Sequence, residues 1–163
     1  MDKRDTLTHV DASGTPRMVD VGDKTVTRRV ARAQARVVLP LNVRDVFRDG
    51  DVVTKKGPVV HTAIIAGTQA VKKTAELIPF CHPLPIERCR FDTTLTDDAL
   101  VIECEVAVSA KTGVEMEALT GVNVAALTVY DMLKALSHDI TITDVALLHK
   151  RGGKSDVDRE PGS

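Results

Sequence analysis

The chain predicts an α+β domain, with an antiparallel or mixed sheet and helices packed on one face of it. Three observations lead there. Residues 59–79 and 115–137 carry apolar side chains at helical spacing. Residues 25–39, 85–95, 99–110 and 139–150 read as strands, rich in β-branched residues. Two of those strands are separated by little more than "TDD", which suits a hairpin and therefore antiparallel pairing.

Taken in order, residues 1–17 are polar and read as a loose arm, 18–155 as one domain, and 156–163 as a charged tail. "TVTRRVARAQARVVL" alternates Val26, Arg28, Val30, Arg32 and Gln34, with β-branched residues at both ends, and reads as mostly strand. "LNVRDVFRDG" suits a short helix closed by Gly50, and "DVVTKKGP" reads as a loop. The helix expected over 59–79 ends at Pro79, which has no N–H to continue it. Ala63, Ala66, Gly67 and Ala70 form a small-residue face on that helix, so another backbone should approach it closely. The helix over 115–137 is apolar nearly all round and must be buried in the fold or in an assembly.

The 163 residues carry 22 Lys plus Arg against 23 Asp plus Glu, without the basic excess of a nucleic-acid binder. Three Phe, one Tyr and no Trp leave no platform for stacking single-stranded bases. Cys81, Cys89 and Cys104 are odd in number and lack CxxC spacing, which points to reduced thiols in a cytoplasmic protein. The N-terminus has no apolar export segment, and no run of the chain is long and apolar enough for a membrane. His9, His61, His82, His138 and His149 are scattered without metal-ligand spacing, so no metal site is expected.

The residues fit for chemistry fall into three groups. "CHPLP" holds Cys81 and His82 on a stiff connector, since Pro79, Pro83 and Pro85 deny it a helix interior or a central strand. Neighbours in an extended segment point to opposite sides, so one of the two should line a site while the other packs. In "KTGVEMEAL", Thr112 and Glu115 fit a capping box, which accounts for Glu115 structurally. Glu117 has no such role, and a carboxylate in the first turn of a buried helix needs one. Asp131 and Lys134 lie three apart, as an intrahelical ion pair or as an acid/base pair tuning each other. Glu117 and Asp131 are about 21 Å apart along one helix and within about 40° of one face. One small substrate does not span them within one chain, so an oligomer is the natural expectation. "KKGP" and "HKRGGKS" set lysines beside glycines, where exposed amides can share an anion, although "GGKS" lacks the earlier Gly of a P-loop.

"MVDVGDK", "KKGPVVHTAIIAGTQAVKKTAELIPFCHPLP", "KTGVEMEALTGVNVAALTVYDMLKAL" and "KRGGKS" together resemble the cyclic pyranopterin monophosphate synthases, the molybdenum cofactor biosynthesis protein C family. The resemblance runs from Met18 to Ser155 with the motifs in the same order. It implies a ferredoxin-like α+β fold and a homohexamer built as a trimer of dimers, with active sites between subunits. It implies a lyase that converts 3′,8-cyclo-7,8-dihydroguanosine 5′-triphosphate to cyclic pyranopterin monophosphate with release of pyrophosphate. By the same resemblance Asp131, Lys56, Lys134 and His82 are the catalytic set. Phe80, Cys81, His82, Met116, Glu117 and Glu115 hold the substrate, and Lys150 and Lys154 face its phosphates. No resident cofactor is implied; Mg²⁺ would come with the substrate phosphates. Pro58, Ile64 and Leu133 depart from the family's usual residues, and none of them is a proposed catalytic group.

Two competing readings remain. In one, the chain is a catalytically inactive paralogue acting as an oligomeric binding or scaffold protein, with the polar residues serving as interface pairs. In the other, Cys81 and His82 form a thiol hydrolase dyad, which the alternation of side chains disfavours.

Overall fold

The computed structural model describes residues 9–160 except Ala12, so most of the N-terminal arm and the last three residues lie outside the described residues. In chain order the elements are β1 (Thr27–Val38), α1 (Leu41–Arg44), β2 (Val53–Thr54), β3 (Gly57–Pro58), α2 (Val59–Lys72), α3 (Thr74–Leu77), β4 (Arg88–Leu95), β5 (Ala99–Ala110), α4 (Glu115–Leu133), β6 (Thr141–Arg151) and β7 (Val157–Asp158). The main sheet has the order β4-β5-β1-β6-β7, and every pairing in it is antiparallel. Setting the short elements aside, β1-α2-β4-β5-α4-β6 is the split βαβ arrangement of the ferredoxin-like fold. The expected class and the expected one-sided helix layer are both present.

Alternation along β1 explains the layering. Ala31, Ala33, Ala35 and Val37 are completely buried under the helices. On the alternate positions, Arg28, Arg32 and Arg36 point to the open face and pair with Glu87, Glu103 and Asp98. Small alanines on the inner face let α4 lie close across β1, β5 and β6.

α2 and α4 run side by side over that sheet. Gly67 and Gly121 are the contact point. A methyl group on Gly67 would stand 2.9 Å from the Gly121 carbonyl oxygen and 2.5 Å from the Phe91 ring. The small-residue face therefore does what its composition predicts. The start of α2 is held by a side chain the sequence did not nominate: Asp51 accepts from the Val60 amide at 2.7 Å and from His61 Nδ1 at 2.8 Å.

Several boundaries differ from the sequence reading. The helix expected over 59–79 breaks at Lys73 (φ −105°, ψ 9°) into α2 and α3. Buried Thr74 sits there with its hydroxyl within reach of the Ala70 and Val71 carbonyls, competing with the backbone for them. The helix expected over 41–50 is only four residues long; the Val46 and Phe47 amides bond the Val43 and Arg44 carbonyls three residues back, and Asp49 and Gly50, both at positive φ, then turn the chain back on itself. The "DVVTKKGP" loop contains a miniature hairpin, β2 with β3. The tail contributes β7, which pairs with His149 and Lys150.

Candidate active site

The connector between α3 and β4 and the first turn of α4 enclose a cleft of about 430 Å³. Phe80, Cys81, His82, Glu115, Met116, Glu117 and Lys154 line it, which brings seven predicted residues from three separate segments together. Both Cys81 and His82 reach the cleft, contrary to the alternation argument. The physical reason is a turn: the Cys81 amide donates to the Ile78 carbonyl at 3.1 Å, so Cys81 leaves a bend before the extended run begins. Burial pushes the Cys81 thiol up, and the charge of Glu117 adds to this. A thiol held protonated is a poor nucleophile, which weighs against the hydrolase reading.

Glu117 lies at the base of the cleft, 4% exposed. Burial raises its carboxyl to about 7, against a smaller lowering by its own amide and a further push from Glu115. It is a proton-bearing group near neutrality, set in a mostly apolar wall. Glu115 is a different case. The capping box does not form: α4 has Val114 as its N-cap residue and no side-chain cap. Instead Glu115 Oε1 accepts from Lys150 Nζ at 3.0 Å. The register places Lys150 opposite Ala31, on the helix-facing side of the sheet, where a charge-assisted bond prevails over a neutral cap.

At the opposite end of α4, Asp131 is flanked by two ammonium groups. Lys134 Nζ lies 2.6 Å from Oδ1 and Lys56 Nζ lies 3.4 Å from Oδ2. The hydrogen bond from Lys134 holds the Asp131 carboxyl below its ordinary value, and the charges of Lys134 and Lys56 lower it further. Asp131 in turn raises Lys134. Asp131 and Lys134 are about half exposed and Lys56 more so, which leaves the cluster at the surface. It does not share the cleft of Glu117, since α4 holds the two ends about 21 Å apart.

Other residues of the site were not singled out from the sequence. Val19, Val21 and Lys24 wall the cleft on the "MVDVGDK" side, and His9 stacks on Phe80 with ring centroids 6.4 Å apart. A neighbouring basic hollow adds Arg29 and Lys111 beside Lys24 and Lys154. The Lys-Gly motifs near 111–113 and 152–154 were the available signal; only tertiary contact shows that they face each other. Among the described residues, no cluster of three His, Cys, Asp or Glu could hold a metal. Pro58, Ile64 and Leu133 stand outside the cleft lining, and Leu133 is fully buried in the core.

Comparison with known proteins agrees with this geometry. The chain is 55% identical over 152 residues to a cyclic pyranopterin monophosphate synthase of Xanthomonas axonopodis pv. citri, covering 93% of this chain and 92% of that protein. It is 50% identical over 160 residues to a molybdenum cofactor biosynthesis bifunctional protein of Synechocystis, covering 95% of this chain and 46% of that one. A Drosophila melanogaster molybdenum cofactor biosynthesis protein 1 is 51% identical over 156 residues, 94% of this chain and 27% of that one. The MoaC family matches residues 18–153, which takes in α4, the Lys56 loop and every residue that lines the cleft except His9 and Lys154: the chain belongs to the MoaC family.

Proposed function

We propose that this chain is a cyclic pyranopterin monophosphate synthase. It takes 3′,8-cyclo-7,8-dihydroguanosine 5′-triphosphate, rearranges it to cyclic pyranopterin monophosphate and releases pyrophosphate. The observation that carries the reading is the Lys56–Asp131–Lys134 cluster, a proton-transfer group with two fixed positive charges, on a chain similar over nearly its full length to proteins of that name.

Opening a purine-derived ring and closing a pterin needs several proton transfers. Asp131 supplies a carboxylate whose charge is held by Lys56 and Lys134, and Glu117 supplies a carboxyl that bears a proton near neutrality. Loss of pyrophosphate and closure of a cyclic phosphate develop negative charge, which Lys24, Lys150 and Lys154 offset around the cleft and beneath it. Phe80 and Met116 give the heterocycle an apolar wall.

The distance between the two ends of α4 supports a shared site, in which the Asp131 cluster of one copy completes the Glu117 cleft of another, and the family resemblance implies that the copies form a homohexamer, a trimer of dimers. The reading extends to a cytoplasmic enzyme without a resident cofactor, any Mg²⁺ arriving on the substrate phosphates. No helix among the described residues is long and apolar enough to cross a membrane. The test is turnover of the cyclised GTP-derived intermediate by the purified protein, with fluorescence detection of the oxidised pterin and with and without EDTA. A folded protein that binds the intermediate without producing a pterin would favour the inactive-scaffold reading.

A further inference from the structure

Behind the cleft lies a second, smaller cavity of about 120 Å³. The two share three walls, His82, Leu84 and Glu117, so the Glu117 side chain borders both. The rear cavity is otherwise closed by α2, α3 and Pro83, with Thr74 buried and Lys72 and Glu76 at its exposed rim. Its volume holds several waters at about 30 Å³ each, and Thr74, His82 and Glu117, with Lys72 and Glu76 at the rim, are the polar side chains that line it.

In the empty protein Glu117 can exchange protons through the cleft mouth. With a substrate of the proposed class filling the cleft, that route closes, yet this is when proton transfer is required. We propose that Glu117 exchanges its proton with bulk water through the rear cavity while substrate occupies the cleft. The carboxyl passes its proton to a rear water and is reprotonated from the substrate side, or the reverse, so no charge is left stranded. The polar groups facing this path are Lys72 and Glu76 at the rim, His82 on the shared wall and Glu115, Lys24 and Lys154 on the cleft side. The raised proton affinity of Glu117 near neutrality fits such a relay. Ala75 lines the rear cavity and not the cleft, which makes it the place to block the path.

The inference rests on the proposed function for what fills the cleft, and its test separates the two. The protein is saturated with GTP as an unreactive analogue below neutral pH, then mixed into D₂O. Infrared difference spectra follow the protonated carboxyl stretch that is absent in Glu117→Gln. Rapid exchange is expected with and without GTP, and Ala75→Leu should slow it by at least about tenfold only when GTP is bound. Exchange in GTP-saturated wild-type protein that falls to the rate of GTP release overturns the rear path without any variant. Exchange unchanged in a folded Ala75→Leu overturns it as well. Should Leu prevent folding, Ala75→Val narrows the same cavity and carries the same two outcomes. Failure of the purified protein to bind or turn over the cyclised GTP-derived intermediate overturns the substrate reading and this inference with it; GTP binding with slow exchange overturns this inference alone.

Discussion

Lys56 Nζ stands 3.4 Å from Asp131 Oδ2, although 75 positions separate the two residues in the chain. The miniature hairpin β2–β3 carries Lys56 to the end of α4, where Lys134 already holds the other carboxylate oxygen. A carboxylate between two ammoniums cannot accept a proton without losing both pairings, so it returns to its charged state after each transfer.

Asp131→Asn should lower turnover by about 10²–10⁴-fold, the range for loss of a positioned acid/base. Lys56→Ala should cause a similar loss. The cluster is exposed, so thermal unfolding should stay near the wild-type temperature in both. Steady-state kinetics with a calorimetric melt check this, and wild-type turnover in either variant would remove the cluster from the mechanism.

Mixing subunits tests the shared site. Asp131→Asn and Glu117→Gln are each expected to be inactive as homo-oligomers. Dissociated and reassociated together, they should recover about a quarter of wild-type activity, since random pairing joins an intact Asp131 to an intact Glu117 at that frequency in a symmetric assembly. Sites built within one chain would recover none.

Glu117 also sets a pH dependence of stability. Its carboxyl is raised from 4.5 to about 7 in the fold, so the native state binds more protons than the unfolded chain between those values. The stability it supports is therefore complete below pH 4.5 and falls as pH rises through about 7. Glu117→Gln should flatten this decline and gain on the order of 2 kcal/mol at pH 8. Urea titrations of both proteins at acid and alkaline pH measure the difference.

Gly67→Ala adds a methyl group 2.5 Å from Phe91 Cζ and 2.9 Å from the Gly121 carbonyl oxygen. Helix propensity favours Ala by about 1 kcal/mol, but overpacking a helix contact costs about 1–3 kcal/mol. A net loss of about 1 kcal/mol is expected by chemical denaturation, since the backbone carbonyl cannot move aside as a flexible side chain would.

Lys154→Ala and Lys24→Ala should each weaken GTP binding by about tenfold at low salt and by less at high salt, because both are exposed and screened. Isothermal titration at two ionic strengths reads this directly.

Much of this was legible from local pattern. Alternation in β1 identified a strand, and the Ala63–Gly67–Ala70 spacing foretold a close helix contact. Glu117 stood out because a carboxylate in an apolar helix needs a reason to be there. Tertiary structure decided the rest. The capping box at Thr112 failed because Lys150, 35 positions from Glu115, offered a stronger partner. Asp51 came to hold the first turn of α2, and Lys24 joined the cleft, through folding that no local window contains. Periodicity reports which face of an element avoids water, since burial follows the element's own repeat. Which distant charges meet on that face depends on sheet order and register, and those arise only when the whole chain packs.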